Sequence, residues 1–136
     1  MTSDRATLVA KLLHEQIASY EESGSLLTRG DELDLSVFDD IEGNGITGLI
    51  INDAGNPVAT IAGAPITDMV YDLIISGHKP GYENILLYCI HQMAIALEGK
   101  SKLLNVEEDL GIEGLRRWKN MLQPAQMIDM WECNQI

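Results

Sequence analysis

Six carboxylates fall within twelve residues of this chain: Asp31, Glu32, Asp34, Asp39, Asp40 and Glu42. Side chains of this kind bind hard cations or basic surfaces. The spacing tests the first option. Acids stand at the first and twelfth positions of a calcium loop, but the third and fifth are Leu33 and Leu35, and Ser36 replaces the glycine at the sixth. The run therefore points to a basic protein surface and not to a metal.

The charge around it supports the same expectation. From Gly30 to His78 there is no Lys or Arg, and the whole chain of 136 residues carries a formal charge of −12. A field of one sign steers basic partners in and repels phosphate backbones. Direct binding of nucleic acid is not expected. A solvated acidic face that only keeps the chain in solution is the plainer alternative.

Other patterns carry less chemistry. Gly43, Gly45 and Gly48 have the spacing of a dinucleotide fingerprint. That motif needs a strand before it and a helix after it, and here an acidic segment precedes and a strand-like run follows. His91 and Tyr88 lie on one helical stripe and form a candidate pocket with His91 as acid or base. The same stripe fits the solvent edge of a packed helix. His14 lacks the second histidine that a zinc helix would place at Ala18. Cys89 and His91 point to different helix faces. No GxSxG, P-loop or CxxC pair is present. No cofactor and no metal are expected.

Two cysteines, Cys89 and Cys133, do not make a disulfide framework and suit a reducing compartment. Met1–Arg5 does not have the pattern of a secretory leader, and Ile85–Ile90 is too short an apolar run to span a bilayer. The expectation is a cytoplasmic protein without membrane association.

A series of elements must position these residues. A helix is expected from about Asp4 to Glu22, with Leu8, Leu12, Ile17 and Tyr20 on one face. The acidic segment follows, interleaved with Leu33, Leu35, Val37, Phe38 and Ile41. Ile46–Asn52 and Pro57–Ile61 flank the turn quartet Asp53-Ala54-Gly55-Asn56 and predict a β-hairpin. Two strands alone are marginal, so a third is expected from elsewhere in the chain or from a second subunit. The rest is predicted helical: Thr67–Ser76 capped by Thr67, Tyr82–Glu98 as a central buried helix, Ile112–Leu122, and a short helix opened by Pro124.

Trp118, Met127 and Trp131 crowd the end of the chain with Met121 and Met130. Trp and Met suit dense, adaptable contacts. They are the expected anchor of a homo-oligomer or of a partner, or else a small satellite core.

These observations predict a single α+β domain over residues 1–136, helix-rich, with a short antiparallel hairpin or small sheet on a central apolar helix. The function they favour is a non-enzymatic acidic inhibitor that presents Asp31–Glu42 to a basic partner, imitating the phosphates of nucleic acid. Two alternatives stand beside it. One is a small-molecule-binding or catalytic domain with a pocket near the central helix. The other is a structural homo-oligomer subunit.

Overall fold

A computed structural model describes residues 43, 45–109, 111–131 and 133–135. The expected first helix and the acidic segment Asp31–Glu42 lie outside them. The chain divides into two compact units, one ending at Asn105 and one starting at Val106.

The first unit holds β1 (Thr47–Asp53), β2 (Asn56–Pro65), β3 (Val70–His78), α1 (Leu86–Ala96) and β4 (Leu103–Asn105). The strands form one sheet in the order β1-β2-β3-β4. β1 and β3 flank β2 in antiparallel register, and β4 lies parallel to β3. A parallel neighbour needs a crossover, and α1 supplies it. Among the described residues strand outweighs helix, which corrects the helix-rich expectation.

The expected hairpin forms, with a tighter turn. Asp53 pairs with Asn56, and only Ala54 and Gly55 turn the chain, at φ of 46° and 82°. Two positive φ values in a two-residue loop match the right-handed twist of the strands they join. Val58–Gly63 of β2 is buried on both faces. Thr60, the buried hydroxyl among them, donates to the Leu49 carbonyl at 3.1 Å.

The predicted helix over Thr67–Ser76 is wrong. That segment is a tight turn and β3, which is itself the third strand the hairpin needed. Tyr71, Leu73 and Ile75 are buried while Ile74 and Ser76 are exposed, a period of two. Thr67 does cap backbone N–H groups, those of Met69 and Val70 at 3.1 Å each, but in a turn. β-branched and aromatic residues at Val70, Tyr71, Ile74 and Ile75 favour the strand once a neighbour is present.

α1 buries Cys89, Met93 and Leu97, four residues apart, against the sheet. Leu87, Tyr88 and Ile95 are exposed. It is a one-faced helix and not the buried central helix expected.

In the second unit the expected amphipathic helix is α2 (Glu113–Met121). Its loop is held from the helix. Arg116 Nε pairs with Asp109 Oδ2, and Lys119 Nζ donates to the carbonyls of Val106, Glu107 and Glu108. No helix follows Pro124 among the described residues. Residues 123–131 are irregular, and Met127, Ile128, Met130 and Trp131 are exposed. A helix of one or two turns is marginal in water without a surface to pack on.

Candidate functional site

In open sheets with parallel strands, ligands sit outside the carboxyl ends of those strands. β3 and β4 are the parallel pair among the described residues. They pair only over Val70–Asp72 and Leu103–Asn105. β3 then runs on from Leu73 to His78 beyond the end of β4. Among the described strands β3 therefore has no partner on that edge past Asp72, a notch in the strand pairing. At its vertex Asn105 Nδ2 donates to Asp72 Oδ1 at 2.7 Å. β3 is also bent at this level. Ala62 pairs with Ile75 and Gly63 with Leu73, so Ile74 is the extra residue of a bulge.

The carboxyl end of β3 leads through residues 79–85 into α1. His78 is buried, and its Nδ1–H donates to the Lys79 carbonyl at 2.9 Å, which sets the tautomer. The loop's own N–H groups are largely engaged. Lys79 donates to Val58 O, Tyr82 to Lys79 O and Ile85 to Tyr82 O, at 2.8, 3.2 and 3.0 Å. Gly81, at φ of 91°, donates to Glu83 Oε1 at 2.9 Å. The Gly81 N–H, then Glu83's own N–H, and last the charge of His78 hold the Glu83 carboxyl below its ordinary range. Tyr82 donates its hydroxyl to Asp53 Oδ2 at 2.7 Å. That bond, with smaller parts from burial and the Asp53 charge, pushes the Tyr82 phenol up.

An opening lies at the other end of β3. It is a cleft of about 820 Å³ lined by Thr47, Leu49, Tyr71, Met93 and Leu97 among others, with Asp68 and Lys100 also on its wall. Its size suits a small molecule. Tyr71 is buried, and its hydroxyl is 2.6 Å from Thr47 Oγ1, 2.8 Å from Thr47 O and 2.6 Å from Gly63 O. One phenolic proton cannot serve both carbonyls fully. Tyr71 thus locks β1, β2 and β3 together beside the cleft. Among the described residues no cluster of His, Cys, Asp and Glu could hold a metal ion. No helix among them is long and apolar enough to cross a membrane.

The fold has solved counterparts. The chain resembles a conserved protein of unknown function from Bacteroides thetaiotaomicron VPI-5482, at 25% identity and a TM-score of 0.79. The likeness covers 93% of this chain but only 43% of that one. It also resembles a possible acetyltransferase from Clostridium difficile 630 (TM-score 0.64, 15% identity), over 100% of this chain and 95% of that one. A ribosomal-protein-alanine N-acetyltransferase from Brucella melitensis biovar Abortus 2308 is similar at a TM-score of 0.63 and 15% identity, over 99% and 96%. No protein-family model and no curated relative matches the chain.

The chain therefore shares its fold, a mixed sheet with its helices, with these solved structures. This overturns the expectation of a non-enzymatic acidic inhibitor and nucleic-acid mimic, because the counterparts whose names state an activity are acetyltransferases. It agrees better with the alternative of a small-molecule-binding or catalytic domain.

The residues singled out from the sequence are scattered. Asp31, Glu32, Asp34, Asp39, Asp40 and Glu42 lie outside the described residues. Tyr88 and His91 are on the exposed side of α1, whereas the cleft takes Met93, Ala96 and Leu97 from that helix. Trp118 is half-buried on α2, and Met127 and Trp131 are exposed. Asp72, Asn105, His78 and Glu83 were not foreseen. The sequence reads Gly77-His78-Lys79-Pro80-Gly81 as a loop, but Gly77 and His78 end β3 and only residues 79–81 of that stretch leave the strand.

Proposed function

We propose that this chain is an N-acyltransferase-type domain, which moves an acyl group from an activated donor to an amine. The observation that carries the reading is that its fold is coextensive with two acetyltransferase structures, spanning 95% and 96% of their chains. The notch between β3 and β4 supports it as the place for the acyl group.

The chemistry asks little covalent work of the protein. The amine lone pair attacks the acyl carbonyl carbon and a C–N bond forms. The bond to the leaving group breaks, and that group departs with the electron pair. The amine also loses a proton. Asp72, at the vertex of the notch, is the carboxylate placed to accept it. Asn105 occupies Oδ1 and so fixes the orientation of the group.

The test uses the full chain with three donors: the neutral thioester S-acetyl-N-acetylcysteamine, acetyl phosphate and acetyl-coenzyme A. Peptides with free amines are the acceptors, and mass spectrometry detects acylation. Acylation above the uncatalysed background is expected from at least one donor, reduced about a hundredfold in Asp72→Asn. No acylation from any donor would remove the reading.

The cleft beside Tyr71 favours a second reading, a small-molecule-binding domain without transfer chemistry. An apolar floor with one acidic and one basic residue, Asp68 and Lys100, suits a small zwitterion. Thermal stabilisation by amino acids, abolished in Asp68→Ala, is the outcome this reading predicts.

A further inference from the structure

Resting on the acyl-transfer reading, the question is which class of donor the notch can take. Acetyl groups are commonly carried as thioesters of coenzyme A, in which a pyrophosphate joins the thiol-bearing arm to the nucleoside. A phosphate brought to this end of the sheet would meet the chain at the amino end of α1. There the helix dipole is positive and backbone N–H groups collect.

The residues present do not fit such a group. In the loop that leads to α1 the donor at Gly81 is spent from within, because the Glu83 carboxylate takes the Gly81 N–H at 2.9 Å, while the first turn of α1 carries no side-chain cap. The N–H groups of Lys79, Tyr82 and Ile85 go to carbonyls of the chain itself. Pro80 has no N–H to give. Lys79 is the one basic side chain of residues 79–85. A second carboxylate, Asp53, is bound to Tyr82 of the same loop. A pyrophosphate would have to break the Gly81–Glu83 bond and sit beside two carboxylates.

We infer that Glu83 closes this end of the notch to pyrophosphate, so that the chain takes its acyl group from a donor without an anionic handle there. The loop keeps a backbone shape open to a ligand, since nothing lies within 4 Å of the place a Cβ on Gly81 would take. The exclusion is thus one of charge and of a spent N–H, not of bulk.

The experiment is a calorimetric titration of the full chain with coenzyme A, run on the parent and on Glu83→Ala, with circular dichroism to compare the folds. Glu83 is exposed, so the substitution removes no core contact. The expected result is no detectable or only millimolar binding to the parent, and binding at least about tenfold tighter to Glu83→Ala. Equal affinities in the two proteins, including none in either, would overturn the role of Glu83, as would micromolar binding to the parent. The acyl-transfer reading fails on a separate result, the absence of amine acylation from the neutral thioester and the other donors.

Discussion

The Tyr82 hydroxyl donates a hydrogen bond to Asp53 Oδ2 across 2.7 Å, and this one bond ties the loop before α1 to the turn of the β1–β2 hairpin. The two residues lie 29 apart in sequence. Their contact brings the carboxyl end of β3 and the hairpin turn together as one rim. The bond raises the Tyr82 phenol above 10.0, its ordinary value. A raised folded-state value means that the contribution is fully present below the unfolded pKa and is lost as pH rises through the folded one. Tyr82→Phe is therefore expected to lower the melting temperature at neutral pH. The difference between the two proteins shrinks above about pH 10. Melts of both at neutral and alkaline pH check this, and a pH-independent gap would contradict it.

Gly63 faces a different constraint. A Cβ there would overlap the Asp72 carbonyl oxygen and touch Tyr71 Cε1 at 3.0 Å. The close approach belongs to the bulge that bends β3 at the notch. Gly63→Ala should cost about 1–3 kcal/mol through overpacking. Urea denaturation measures it, and a change under about 0.5 kcal/mol would show that the strands part without strain.

The two thiols should differ sharply in reactivity. Cys89 is buried in the α1 stripe, and desolvation pushes its pKa up to about 11. At pH 8 the thiolate is then about one part in a thousand, and thiolate is the reactive form. Cys133 is exposed. Alkylation of the native chain is expected to modify Cys133 alone, with Cys89 reacting only in denaturant. Modification of Cys89 at the rate of Cys133 would show that α1 opens readily.

Lys119 closes the loop of the second unit by donating to three successive carbonyls. Burial pulls its pKa down, while Glu107, Asp109 and Glu108 push the other way. The ammonium acts as a fixed cation for a turn in which Glu107 is held at φ of 62°. Lys119→Met keeps much of the stem but leaves the carbonyls without their donor. A loss of about 1–3 kcal/mol is expected, with faster amide exchange through residues 106–112. Unchanged exchange in that segment would show that Asp109 and Arg116 suffice.

Local chemistry decided what was legible in the chain. The hairpin declared itself because a turn quartet between two apolar runs is a short-range signal. The helices α1 and α2 followed from spacing along a single segment. β3 was missed because Met69, Val70, Leu73 and Ile74 satisfy a helical period as well as a strand does. Such a short run is resolved only by the neighbour it pairs with. β4 is three residues long and has no signal of its own.

The candidate site depended still more on tertiary structure. Asp72 and Asn105 are 33 residues apart and meet only because α1 returns the chain beside β3. Glu83 carries no signal in the sequence, and the loop places its carboxylate on the Gly81 N–H. Composition and periodicity determined that this chain is strongly acidic, carries a hairpin and has two helical segments after it. Which strands lie parallel, where their pairing stops and which carboxylate stands at that end were decided by long-range pairing. Register between distant segments is set by partners that no local window contains.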